Sequence, residues 1–144
     1  MRKKMTVLLV SLICLLALAL SGCGRYVSNW SAVGCASSNT SDSAFVNFYK
    51  LSGRMVFKLK SDVDEVIHYT GELKDGSLTV YYDTDGTKKE LFRIKSGEKV
   101  DDCIGKLQKG TTYIIIETDE RCENGDFHFD LQDAETEESS GNEG

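Results

Sequence analysis

From Phe45 onward, apolar and polar side chains alternate along the chain with a period of two, the signature of half-buried strands. Phe45-Val-Asn-Phe-Tyr-Lys-Leu51 is rich in aromatic and branched residues. Met55, Phe57 and Leu59 then alternate with Lys58 and Lys60, giving one apolar and one solvated face. Ile67, Tyr69 and Leu73 share a side in the next run, which Gly71 interrupts. Asp75-Gly76 is a preferred pair for a tight hairpin, because both central positions favour positive φ. Its predicted partner strand is Leu78-Thr-Val-Tyr-Tyr82, with Leu78, Val80 and Tyr82 inward and Tyr81 outward. Asp85-Gly86 is a second turn signal, before Leu91-Phe-Arg-Ile94. After the polar stretch Lys95 to Asp102, Tyr113-Ile-Ile-Ile-Glu117 is continuously apolar, which predicts a central strand buried on both faces. Asn124-Gly125 is read as a turn into Phe127, Phe129 and Leu131, which point one way. No segment carries a helical stripe of ten or more residues. Short strands at this spacing predict an all-β fold, a single small antiparallel β-sandwich of jelly-roll type over residues 45–131.

The two ends of the chain break this pattern. Arg2, Lys3 and Lys4 precede an almost unbroken apolar run from Met5 to Leu20, which closes on Ser21 and Gly22. A basic start, a short apolar segment and a small-residue exit make a signal peptide over residues 1–22. A membrane span needs about 20 apolar residues, more than this run supplies. Residues 24–43 are small and polar with no sustained period, so residues 23–44 are read as a tether. Tyr26 and Trp30 stand out in it as side chains for a bilayer interface or for the domain surface. Residues 132–144 carry five acids and no basic residue, a composition that predicts a disordered acidic tail.

Leu20-Ser-Gly-Cys23 resembles the lipobox of bacterial lipoproteins. The resemblance implies diacylglyceryl transfer to the Cys23 thiol, cleavage before it, and frequent fatty acylation of the new amino terminus. Two or three acyl chains hold a protein firmly, where one chain is marginal. The expected location is therefore the extracytoplasmic face of the cell membrane. Gly24 stands where an Asp would favour retention in an inner membrane, which leaves the envelope type open.

Charge and cysteines narrow the chemistry. The chain holds 17 Lys and Arg against 23 Asp and Glu; residues 1–22 take three basics and no acid, leaving 14 against 23, a net charge of −9. No basic stripe is available to neutralise phosphates, so no nucleic-acid partner is expected. Cys14 leaves with the signal and Cys23 is lipidated, so Cys35, Cys103 and Cys122 remain. Cys103 and Cys122 flank the Tyr113–Glu117 run and form a candidate disulfide, with free thiols as the alternative. A zinc site lacks paired cysteine spacing, and His68 and His128 stand apart on strand-like runs. No cofactor, metal or catalytic constellation is called for. Asp83-Thr-Asp85-Gly86 resembles the start of a calcium loop, but the further acids of that loop are missing and Lys88-Lys89 follow; a hairpin turn explains Asp83 and Asp85 as well. An outward Tyr81 is the candidate ligand contact, by stacking on a sugar ring or capping a protein, unless it simply fills a cross-strand pair.

The segments Asp75–Tyr82, Leu91–Ile94, Gly110–Thr118 and Asn124–Phe129 together resemble the pre-peptidase C-terminal and carbohydrate-binding-module-like domains of bacterial surface proteins. The resemblance implies a binding or stabilising role, and transfers no ligand residue. The expectation is a monomeric, non-enzymatic lipoprotein presenting a module that recognises a protein or a glycan. Its alternatives are a structural subunit of an envelope complex, and a hydrolase inhibitor with a rigid loop around Cys103 to Lys109.

Overall fold

Eight strands and no helix make up the described part of a computed structural model, which covers residues 26–61, 65–107 and 109–133. They are β1 (Asn29–Asn39), β2 (Ser43–Ser61), β3 (Glu65–Asp75), β4 (Ser77–Asp83), β5 (Lys89–Lys95), β6 (Lys99–Leu107), β7 (Gly110–Thr118) and β8 (Cys122–Asp133). Every pairing is antiparallel, in the order β5-β4-β7-β2-β8-β3-β6, with β1 on the other side of β2.

The 19-residue β2 organises the sandwich. Its first half pairs with β8 from Ser43 to Leu51, and its second half with β7 from Arg54 to Ser61. β7 and β8 therefore follow one another along the same side of β2, broken at residues 119–121. Each then takes a different neighbour: β7 pairs with β4, and β8 with β3. One long strand thus belongs to two leaves, a front leaf of β5, β4, β7 and the end of β2, and a back leaf of β1, the start of β2, β8, β3 and β6. The corner falls at Gly53, whose φ of 113° side chains rarely adopt and where an added Cβ would overlap the Asn29 carbonyl.

Between the leaves lies an aromatic core. Phe92 stacks on Tyr69, Phe127 and Phe129 at centroid distances of 5.0, 6.2 and 6.5 Å, and Phe48 stacks on Phe127 at 6.3 Å. Leu51, Leu59, Ile67, Leu73, Leu78, Ile94, Ile114 and Ile116 close around them. The predicted burial of β7 on both faces holds: Ile114, Ile115 and Ile116 are all buried, although they alternate in direction.

Several local expectations are corrected. The predicted tether contains β1, which pairs with β2 from Asn29↔Arg54 to Asn39↔Ala44 and packs Ala32 and Cys35 on the core. Asp75-Gly76 is no hairpin. β3 and β4 do not pair with each other; the link crosses from the back leaf to the front. Asn124-Gly125 lies inside β8, with Asn124 at φ 51°, because β8 stays in register with both β2 and β3 past it. β6 occupies polar sequence that showed no strand, and Cys103 to Leu107 is strand there instead of a protruding inhibitor loop. Gln132 and Asp133, read as tail, close β8. Asp85-Gly86 does join a hairpin, β4 to β5, with a bulge between Val80 and Tyr81. The signal peptide, Cys23 and residues 134–144 lie outside the described residues.

Cys103 and Cys122 are not bridged. Cys103 sits opposite His68, and His68 opposite Asp130, eight positions along β8 from Cys122. At about 3.3 Å per residue that is roughly 26 Å, where a disulfide needs Cα atoms within about 7 Å. Cys122 instead is buried at the leaf crossing, its Sγ donating to the Ser77 carbonyl at 3.3 Å. Burial pushes its thiol up from 9.0 to about 11, and the neighbouring carboxylates of Glu120, Asp119 and Asp75 add to this. The folded thiol holds its proton more tightly than the unfolded one, so the fold loses stability as pH rises from 9 towards 11. Urea unfolding across that window is expected to show a decline that Cys122→Ser reduces; an identical decline in the variant rules out this origin.

Candidate ligand-binding groove

The back leaf carries three rows of mostly polar side chains on its outer face, placed there by alternation along β2, β8, β3 and β6. One row is Asn47, Asp126, Glu72 and Lys99; the next is Phe45, His128, Thr70 and Asp101; the third is Ser43, Asp130, His68 and Cys103. Charged contacts knit the rows together. Asp126 Oδ2 accepts from Asn47 Nδ2 at 2.9 Å, and its Oδ1 lies 2.8 Å from His128 Nε2. His68 Nε2 lies 2.9 Å from Asp101 Oδ1, and Lys99 Nζ 3.3 Å from Glu72 Oε2. The Phe45 ring stacks on the His128 imidazole at 5.6 Å. At the β3–β6–β8 end an open groove of about 400 Å³ is lined by Thr70, Gly71, Glu72, Lys99, Val100, Asp101 and Asp126.

Gly71 shapes the ground beneath the groove. A Cβ there would stand 2.5 Å from Phe127 Cδ1 on the core side, so this position packs as bare backbone against the ring. The groove walls are therefore side chains of regular strands, over the bare backbone of Gly71. Three carboxylates, one ammonium and one hydroxyl offer acceptors and donors to a polyhydroxylated ligand, the carboxylates able to accept from adjacent hydroxyls.

The ligand-contact and calcium candidates of the sequence land on the other leaf. Tyr81, Asp83 and Asp85 cluster at the β4–β5 hairpin. Tyr81 points outward as expected, but Lys88 Nζ stands over its ring at 4.1 Å, and Lys88 also reaches Glu117 at 2.7 Å. One ring face is thus already occupied, in the manner of a cation–π pair. Asp83 Oδ1 accepts from the backbone N–H groups of Asp85 and Gly86 at 3.1 and 2.6 Å, while its Oδ2 accepts from Tyr26 Oη at 2.6 Å. Asp85 accepts from the Thr87 N–H and pairs with Lys89 at 3.6 Å. Both carboxylates face proton donors, the opposite of what a cation requires. Among the described residues no group of three His, Cys, Asp or Glu side chains is arranged to hold a metal. Burial, aided by the Asp83 carboxylate, pushes the Tyr26 hydroxyl up to about 12, so it remains a donor that ties the residues before β1 to the front leaf. The Tyr26 ring also meets Tyr113 edge-on at 5.5 Å.

The sequence reading gave Thr70, Glu72, Lys99, Asp101 and Asp126 no part in a groove. Thr70 and Glu72 look like the solvated half of an ordinary strand, Lys99 and Asp101 lie in a polar stretch that showed no strand, and Asp126 follows the Asn124-Gly125 turn signal; only the pairing of β3 with both β6 and β8 makes one site of them.

No protein-family model matches the chain. Nor does any curated protein. Among solved structures, a family 61 carbohydrate-binding module in complex with beta-1,4-galactotriose aligns at TM-score 0.39 and 15% identity, over 72% of this chain and 84% of that one. A mutant of a family 29 carbohydrate-binding module aligns at 0.36 and 16%, over 72% and 78%. The cupin domain of Drosophila melanogaster CENP-C aligns at 0.32 and 14%, over 73% and 70%. At these identities and scores no residue role passes from them to this chain.

Proposed function

We propose that this chain is a membrane-anchored extracytoplasmic lipoprotein whose β-sandwich, as a monomer, binds a glycan in the back-leaf groove without acting on it chemically. The reading is carried by the groove itself, about 400 Å³ with Thr70, Glu72, Lys99, Asp101 and Asp126 converging on it from three paired strands. Sites built on strands hold their hydrogen-bonding groups in place before the ligand arrives, which lowers the cost of binding. The anchor rests on the Leu20-Ser-Gly-Cys23 ending after a short apolar run, with acylation at Cys23.

Two measurements test the two halves separately. Calorimetric titration with a panel of neutral oligosaccharides should find a binder, whose affinity falls about tenfold or more in Glu72→Gln and in Asp126→Asn, about 1.4 kcal/mol for each tenfold. A panel without a binder, or variants that bind as the parent does, would overturn the groove. Cys23→Ala should move the protein from the membrane fraction into soluble material; unchanged fractionation defeats the anchor.

A further inference from the structure

The large apolar side chains left exposed among the described residues lie on β1, just before it, or beside it on β2. Val27, Trp30, Val33 and Tyr49 are 70, 44, 58 and 51% exposed. Val27 leads into β1, Trp30 and Val33 lie on it, and Tyr49 is the β2 residue against Gly34 of β1, where an added Cβ would stand 3.2 Å from the Tyr49 Cβ. Val27, Trp30 and Val33 line the edge of the sandwich formed by β1 in the back leaf and the end of β2 in the front leaf, and Tyr49 stands one strand in, between β1 and β8, with Lys50 Nζ 5.4 Å over its ring.

This edge is also the least acidic part of the molecule. β1 contains no charged residue, and β2 contains Lys50, Arg54, Lys58 and Lys60 with no acid, in a chain of net charge −6. Lys50 and Arg54 pair with Glu123 and Glu117. Among the described residues, no ion pair joins Lys58 or Lys60 to a carboxylate. The backbone of the same edge is already satisfied at intervals. The N–H of Val56 donates to Ser28 Oγ, that of Lys58 to Asn39 Oδ1, and that of Lys60 to the Ser41 carbonyl. A partner strand would find these donors taken, so strand addition along the end of β2 is disfavoured. What is left for a partner is apolar side chains and two cationic tips that pair with no carboxylate among the described residues, Lys58 Nζ lying 5.7 Å over the Tyr113 ring of β7.

Chain length supplies the occupant. Tyr26 follows Cys23 by three positions and Asn29 by six. At no more than about 3.6 Å per residue, β1 begins within roughly 22 Å of the acylated sulfur's own residue. We propose that the β1 edge rests on the bilayer, with Trp30, Val27, Val33 and Tyr49 at the headgroup level and Lys58 and Lys60 against anionic phospholipid. The inference depends on acylation at Cys23. Trp and Tyr suit such an interface because one end of each ring system is apolar and the other wet. In the back leaf β6 is the strand farthest from β1, so this seating turns the β3–β6–β8 groove away from the membrane.

Trp30 is the only tryptophan in the chain, so its fluorescence reports on this edge alone. The acylated full-length product is reconstituted into vesicles of phosphatidylcholine with phosphatidylglycerol, and quenching by brominated lipid is compared with quenching by aqueous acrylamide. Strong lipid quenching, weak acrylamide quenching, and about fivefold weaker seating for each of Lys58→Gln and Lys60→Gln are expected. Protein that floats with the vesicles while Trp30 answers only to acrylamide overturns the docking edge and leaves the anchor standing. Shielding from both quenchers, with cross-linked pairs through β1, assigns the edge to a second copy and overturns it too. Lipid quenching unaffected by the lysine variants removes the anionic contact. Protein that does not float removes the anchor, and the inference with it.

Discussion

Phe127→Ala is expected to lower the unfolding free energy by roughly 3–5 kcal/mol, the range for emptying a buried aromatic site. Phe127 is fully buried and is the ring that Phe48 and Phe92 both stack on, at 6.3 and 6.2 Å, so its loss strips contacts from both leaves. The surrounding strands cannot collapse into the gap without breaking the register of β8 with β2 and β3. Chemical denaturation should show the midpoint falling with the slope unchanged. A loss below about 1 kcal/mol would mean that the rings do not form the continuous stack described.

Gly125→Ala tests the same core from the opposite side, by adding a methyl where there is no room. Gly125 faces Phe48 across the β2–β8 pair, and an added Cβ would overlap the tip of the Phe48 ring. Overpacking of this kind costs roughly 1–3 kcal/mol. Gly105→Ala is the control. Nothing lies within 4 Å of its would-be Cβ, so its effect should stay within about 0.5 kcal/mol. Shortening the opposing ring with Phe48→Leu should recover part of the Gly125→Ala loss in the double variant. Strictly additive losses would show that the two sites do not meet.

The candidate site and the proposed anchor rest on signals of very different range along the sequence. The proposed anchor rests on a local pattern in which basic residues, an apolar run and Ser-Gly-Cys stand side by side. Tyr81 was placed outward correctly, because a strand's alternation fixes the side of every residue once its neighbours are assigned. Whether its ring is open was not legible, since Lys88 reaches it from beyond the hairpin turn. The groove gave no local signal. Glu72, Lys99 and Asp126 become one row only when β3 lies between β6 and β8.

Alternation of side chains by itself determined that this chain is all-β, that Ile114 to Ile116 run through the centre, and that Leu78, Val80, Phe127 and Phe129 face inward, because burying apolar area dominates the choice of face. Only the tertiary structure decided which strands are neighbours. Asp75-Gly76 carries the sequence of a hairpin, yet it crosses between leaves, since β3 gains β6 and β8 as partners and β4 gains β5 and β7. β1 is a strand despite its small, polar and mostly exposed side chains, because its order comes from backbone hydrogen bonds to β2, and those depend on an edge that forms elsewhere in the chain.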